Sequence, residues 1–233
     1  MYSPRGERLS NGLPALTRLP GLPKLGSVFQ ISVSFRFFFE EPMMKLLKTF
    51  LATVAVALFV SGAQAAELKS GPQAGEEVGA FEVVKVAGNA EDGVKEGDKL
   101  CYRCKLGSRP VVMIFARKPD ANLAKLVGQL DKVVADNGEK KMASFVNLIG
   151  TDAEHGKAAA AKLVKDSKAS NIAVVVPADQ PNGPAEYKIS ADADVTVLIY
   201  KEGVVKANHA LPAGGLTDAV VKKIVADTNA ILN

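Results

Sequence analysis

The chain has 233 residues, with 29 Lys and Arg against 25 Asp and Glu, 20 Gly, 12 Pro and only 2 Cys. Residues 1–65 hold 7 of the basic and 3 of the acidic groups, so residues 66–233 carry 22 of each sign. That balance leaves no basic surplus for nucleic acid or anionic lipid, and the 168 residues that follow position 65 suit one domain with its own core rather than a disulfide-stapled miniprotein.

Residues 1–42 scatter Pro, Arg and Gly and set Phe37, Phe38 and Phe39 without period. They read as a disordered extension or an over-long start ahead of Met43 or Met44. Lys45 and Lys48 then form a basic region, residues 49–60 are a largely apolar run, and Ala63-Gln64-Ala65 gives a small-x-small pattern. Residues 43–65 therefore read as a secretory signal cleaved near Ala65. An apolar run of this length is short of the roughly 20 residues a bilayer span needs, so no stable membrane anchor is expected. The expected location is secreted or periplasmic.

Residues 66–79 are polar and Gly-rich, a flexible lead-in to a domain over 80–233. Residues 81–86 (FEVVKV) form a short β-type run, and 88–100 are charged and turn-rich. The pair Cys101-Tyr102-Arg103-Cys104 follows. Residues 111–116 (VVMIFA), bounded by Pro110 and Arg117, are continuously apolar, which predicts a strand covered on both faces and central to the sheet. Leu123, Leu126, Val127, Leu130, Val133 and Val134 recur at spacings of three and four, predicting a helix capped by Asp120 and ended by Asn137-Gly138.

The pattern repeats, with a strand at 143–149 and a capping box, Thr151-Asp152-Ala153-Glu154, opening an Ala-rich helix to about Ser167. Residues 172–176 predict a third buried strand and 180–185 a surface loop. Residues 195–200 and 204–209 predict a hairpin across Lys201-Glu202-Gly203, with Gly203 in the left-handed position of a three-residue loop. An amphipathic helix over 216–232, built on Val220, Val221, Ile224, Val225 and Ile231, closes the chain. This succession predicts an α/β fold, a mixed central sheet with helices on both faces and right-handed crossovers.

The order and spacing of these elements resemble the thioredoxin-like superfamily, and within it the peroxiredoxin-like (AhpC/TSA, or redoxin) branch, from residue 75 to the C-terminus. The resemblance rests on the G-x-x-V-G-x-F opening at 75–81, PVVMIFAR, IAVVV with its exit Pro177-Ala178-Asp179, Tyr187-Lys188-Ile189 and TVLIYKEGVV. It implies a thioredoxin-like three-layer sandwich. It also implies an attacking cysteine after the central strand, where a helix start stabilises thiolate. The matching stretch from Ala116 through Arg117, Lys118, Pro119 and Asp120 to Leu123 has none. Asp194-Val195-Thr196 stands where the family has its cis-proline, and Thr196 resembles the threonine beside it. On this reading the usual site is lost and peroxide reduction is rejected.

The remaining candidate is the C-x-x-C pair itself, which can cycle between dithiol and disulfide. Arg103, Lys105 and Arg109 supply positive charge expected to favour thiolate. Cys101 is assigned as nucleophile and Cys104 as resolving thiol, with protein thiols or disulfides as partners. The competing reading is a non-catalytic binding or scaffold protein whose pair is a structural disulfide. A four-residue loop constrains the unfolded chain little, which weakens that reading without removing it. Zinc would need His155 and His209, the chain's two histidines, and haem attachment would need a histidine where Lys105 stands. No metal or cofactor is expected.

Overall fold

The computed structural model describes residues 68–178 and 182–233, and the expected extension and signal at 1–65 lie outside them. The strands are β1 (Val83–Gly88), β2 (Lys99–Leu100), β3 (Val111–Ala116), β4 (Ala143–Leu148), β5 (Ala173–Pro177), β6 (Val195–Lys201) and β7 (Val204–Leu211). They form one sheet in the order β2-β1-β5-β4-β3-β6-β7. The strands β3, β4 and β5 run parallel, while β1, β2, β6 and β7 pair antiparallel with their neighbours. The expected central strand, β3, is internal, but the middle position belongs to β4, because β1 and β2 extend the sheet beyond β5.

The helices are α1 (Tyr102–Leu106), α2 (Ala121–Asp136), α3 (Ala153–Ser167), α4 (Asp218–Asp227) and α5 (Asn229–Leu232). All six residues of β3 are fully buried, so both sheet faces are covered, as the unbroken apolar run requires. Successive side chains of a strand point to opposite faces. Val112, Ile114 and Ala116 thus join a core with Leu123, Leu126 and Leu130 of α2, Leu163 of α3 and Val221 and Ile224 of α4. Val111, Met113 and Phe115 join a second core with Tyr102 and Leu106 of α1, Val78 and Tyr187. The faces are unequal. The first carries the long helices, and the second is covered by α1, the lead-in segment and a 3-10 turn at Ala185–Tyr187.

Local chemistry accounts for the helix and turn boundaries. Asp120 caps α2, its Oδ1 accepting the Leu123 N–H at 2.8 Å. The α3 cap is Asp152 rather than Thr151: Asp152 is the extended residue, and its Oδ1 accepts the His155 N–H at 2.9 Å. The hairpin closes with two residues, not three. Lys201 pairs with Val204, and Glu202 and Gly203 both take positive φ (58° and 79°), the twist-matched two-residue turn. The C-terminal helix is interrupted at Thr228, whose hydroxyl donates to the Val225 carbonyl at 2.7 Å. A hydroxyl bonded back into the preceding turn bends a helix, and here the bend puts Ile231 and Leu232 into the core.

Candidate functional site

The Cys pair lies on a short helix, whereas the expected approach to β3 was a turn-rich stretch. Cys101 is the cap of α1, with φ −102° and ψ 102°, and its Sγ accepts the Cys104 N–H at 3.0 Å. Gly107 ends the helix at φ 59°, its N–H donating to the Arg103 carbonyl. Tyr102 and Leu106 stand one turn apart and are both buried, which fixes the inner face of α1. Cys104 and Lys105 are exposed and Cys101 is half-buried. The two cysteines are joined as a disulfide, with Cα atoms 5.2 Å apart.

Contacts on both sides place α1 over the second face, where β3 begins. The Tyr102 ring stacks on Phe145 of β4 with centroids 5.3 Å apart. The Glu202 N–H in the β6–β7 turn donates to the Ser108 carbonyl at 3.2 Å. The cysteines therefore precede β3, away from the end of β3 at which the family resemblance would put a nucleophile.

Beneath the pair lies a polar network that the sequence reading missed. Lys85, on β1, is 1% exposed, and its Nζ donates to Asp92 Oδ1 at 2.8 Å, the Asn89 carbonyl at 2.5 Å and the Val94 carbonyl at 2.9 Å. The Tyr102 hydroxyl donates to Asp92 Oδ2 at 2.5 Å, and the Val94 N–H donates to Asp92 Oδ1 at 2.8 Å. Burial pushes the Asp92 carboxyl up, but hydrogen bonds from Lys85, Tyr102 and Val94, with the Lys85 charge, hold it below the usual carboxylate range. Burial and the same carboxylate push the Tyr102 phenol far up, so it stays a donor. The one signal in the sequence was a lysine inside an apolar strand run, FEVVKV, which needs a buried partner.

The three expected cations separate. Arg103 turns away toward the lead-in and the hairpin: its Nε donates to the Val78 carbonyl at 3.0 Å, and a Cβ at Gly203 would stand 2.4 Å from its Nη2. Lys105 and Arg109 are exposed, and among the described residues neither side chain makes an ion pair or hydrogen bond. Both line a cleft of about 610 Å³ beside α1.

At the opposite end of β3, where the resemblance would place a nucleophile, Arg117 Nε donates to the Ala193 carbonyl and Nη2 to the Ser190 carbonyl, each at 3.1 Å. Thr196 is buried with its hydroxyl 2.7 Å from Ser70 Oγ. Neither His155 nor His209 approaches the cysteines as a ligand set: His155 pairs with Asp152, and His209 Nε2 lies 3.0 Å from Asp227 Oδ2. No cluster of three or more His, Cys, Asp or Glu gathers among the described residues.

No protein-family model matches the sequence, and no curated protein matches it. Solved structures do resemble it. A protein from Chlorobium tepidum named as a thiol:disulfide interchange protein, DsbE, superposes with a TM-score of 0.51 at 14% identity, covering 72% of this chain and 100% of its own. A protein from Bacteroides thetaiotaomicron named as a protein disulfide isomerase gives 0.52 at 12% identity, covering 71% and 94%. At such identities the likeness establishes a shared fold.

Proposed function

We propose that this chain, a thioredoxin-like fold of the redoxin type, performs thiol–disulfide exchange at Cys101 and Cys104. The observation that carries the reading is the bridge at an exposed residue, Cys104, on a helix that other contacts hold. Tyr102, Asp92 and Lys85 anchor α1 from below, so the helix has reason to keep its place when the bridge opens. Two neighbours in fold bear names that describe disulfide chemistry, which supports the same reading.

The exchange is balanced. A partner thiolate attacks Cys104 Sγ, the S–S bond breaks, and Cys101 leaves as a thiolate that takes the Cys104 N–H as donor. A second partner thiolate attacks the mixed disulfide and releases Cys104. The partner is oxidised to a disulfide, the pair gains two electrons, and solvent supplies the protons. Exposure favours this division, with Cys104 receiving the partner and Cys101 leaving, over the order expected from the sequence. Lys105 and Arg109 serve as the supporting cations, and Arg103 positions the helix against Val78. The partners are protein or small-molecule thiols and disulfides, and the setting is secreted or periplasmic, following removal of residues 1–65.

Equilibration against glutathione buffers tests the proposal. A reduction potential between about −120 and −270 mV, with insulin reduction abolished by Cys101→Ser, supports exchange. A potential below about −300 mV, without turnover, assigns the bridge to structure and the protein to the scaffold class.

A further inference from the structure

Beside α1 the domain has a cleft that neither strand order nor core packing requires. Its walls come from separate parts of the chain: Glu91 and Asp92 after β1, Tyr102 and Lys105 of α1, Arg109 ahead of β3, and Ser144 at the start of β4. Its volume, about 610 Å³, falls within the range of small-molecule clefts, roughly 300–1,000 Å³, and far below what a folded partner needs. Lys105 and Arg109 stand unpaired in its wall, and Glu91 is exposed there as well. Asp92 is already matched by Lys85 at 2.8 Å and adds no free charge.

The Ser144 hydroxyl takes no part in the cleft: Ser144 alternates with Phe145, whose ring meets Tyr102, so its side chain points to the other face of the sheet, and its Oγ is sealed from solvent. Neither cysteine lines the cleft. Cys101 lies one helical turn from Lys105, on the same side of α1, so a ligand held by Lys105 sits next to the bridge.

We infer that this cleft binds a low-molecular-mass thiol bearing carboxylate groups, an amino-acid or short-peptide thiol, as the co-substrate of the Cys101–Cys104 pair. Its carboxylates take Lys105 and Arg109, and an ammonium group takes Glu91. Two such thiolates are oxidised to their disulfide as the bridge is reduced to two thiols, by the exchange described above. The inference names the substrate of the proposed exchange and so rests on that reading.

Reduced glutathione, with two carboxylates and one ammonium, and the uncharged 2-mercaptoethanol are the two probes, with bridge reduction followed by stopped-flow alkylation of the released thiols. With glutathione the rate saturates with concentration, and Lys105→Ala/Arg109→Ala weakens saturation and slows it about tenfold or more, as loss of charge steering at a cleft does. With 2-mercaptoethanol the rate stays linear and the variants match wild type. Linear dependence on glutathione, or equal loss with both probes, overturns the cleft assignment while leaving exchange intact. Failure of both probes to reduce the folded protein overturns the exchange reading itself. S-methylglutathione, which cannot exchange, gives a non-redox readout by calorimetry: wild type binds it, and Lys105→Ala/Arg109→Ala binds it more weakly. Absence of heat with wild type refutes the site.

Discussion

Replacing Asp92 by Ala tests the anchor beneath the cysteines. Lys85 is buried to 1% of its surface, and its ammonium has three acceptors, of which Asp92 Oδ1 at 2.8 Å is the only charged one. Removing one partner of a buried ion pair costs about 3–5 kcal/mol, because the other charge stays buried without compensation. The Tyr102 hydroxyl loses its acceptor in the same step. Against a total stability of about 5–15 kcal/mol, Asp92→Ala is thus expected to remove a large share. Lys85→Met alone should cost less, since the Asp92 side chain is 11% exposed and keeps Tyr102 and Val94 as donors. The double variant Lys85→Met/Asp92→Ala should be more stable than Asp92→Ala, because no uncompensated charge is then buried.

Urea denaturation of the oxidised protein at neutral pH measures all three variants. The Asp92 carboxyl is held below its ordinary value in the fold, so its contribution is present above the ordinary carboxylate range and disappears as pH falls through the lowered value. Asp92→Ala should flatten that part of the acid limb. An Asp92→Ala cost within about 0.5 kcal/mol of zero, the range of an ordinary surface substitution, would refute the anchor. So would strict additivity with Lys85→Met, since residues of one network couple.

Other expectations follow from the same geometry. Gly88 takes φ 78°, and a Cβ there would stand 2.2 Å from the Ile172 carbonyl oxygen, so Gly88→Ala should destabilise by about 2–4 kcal/mol in thermal or urea melts. Reducing the Cys101–Cys104 bridge should cost no more than about 2 kcal/mol, since it closes a loop of only four residues, as read from denaturation with and without reductant. Burial, aided by the Lys223 charge and opposed by Asp227, lowers the His209 pKa. Its neutral form is therefore favoured by folding, and stability should fall as pH drops from about 6.5 toward the lowered value, a slope that His209→Asn should remove.

The strands were legible because burial on both faces writes an unbroken apolar run, as in β3, and the long helices because Leu123, Leu126 and Leu130 keep helical spacing. The short α1 was not. Five residues give too little period to read, and its two buried positions, Tyr102 and Leu106, flank a stretch whose other residues are polar or reactive. The two-residue hairpin turn was masked because Glu202, rather than a second Gly or an Asn, takes the first positive-φ position. The Lys85–Asp92–Tyr102 network joins residues 7 and 10 apart through a loop fold that no periodicity encodes. Arg103 read as a thiol-activating cation from adjacency alone, yet a helix of 3.6 residues per turn sends neighbouring side chains in different directions, here toward Val78.

The two ends of β3 differ in what they can do. After β3, the Arg117 side chain is spent on the carbonyls of Ala193 and Ser190, its backbone N–H donates to Asp194, and the α2 cap is a carboxylate, Asp120, already accepting the Leu123 N–H. An anionic cap also opposes any thiolate placed beside it. Before β3, two cations stand free at a cleft, and the one disulfide lies a helical turn from Lys105. A cysteine introduced at Ala121, exposed in the first turn of α2, should therefore remain a poor nucleophile near neutral pH, and alkylation rates of Ala121→Cys in the Cys101→Ser/Cys104→Ser background measure it. Fast alkylation there, matching that of the native pair after reduction, would mean that the end after β3 retains the electrostatics of a working site.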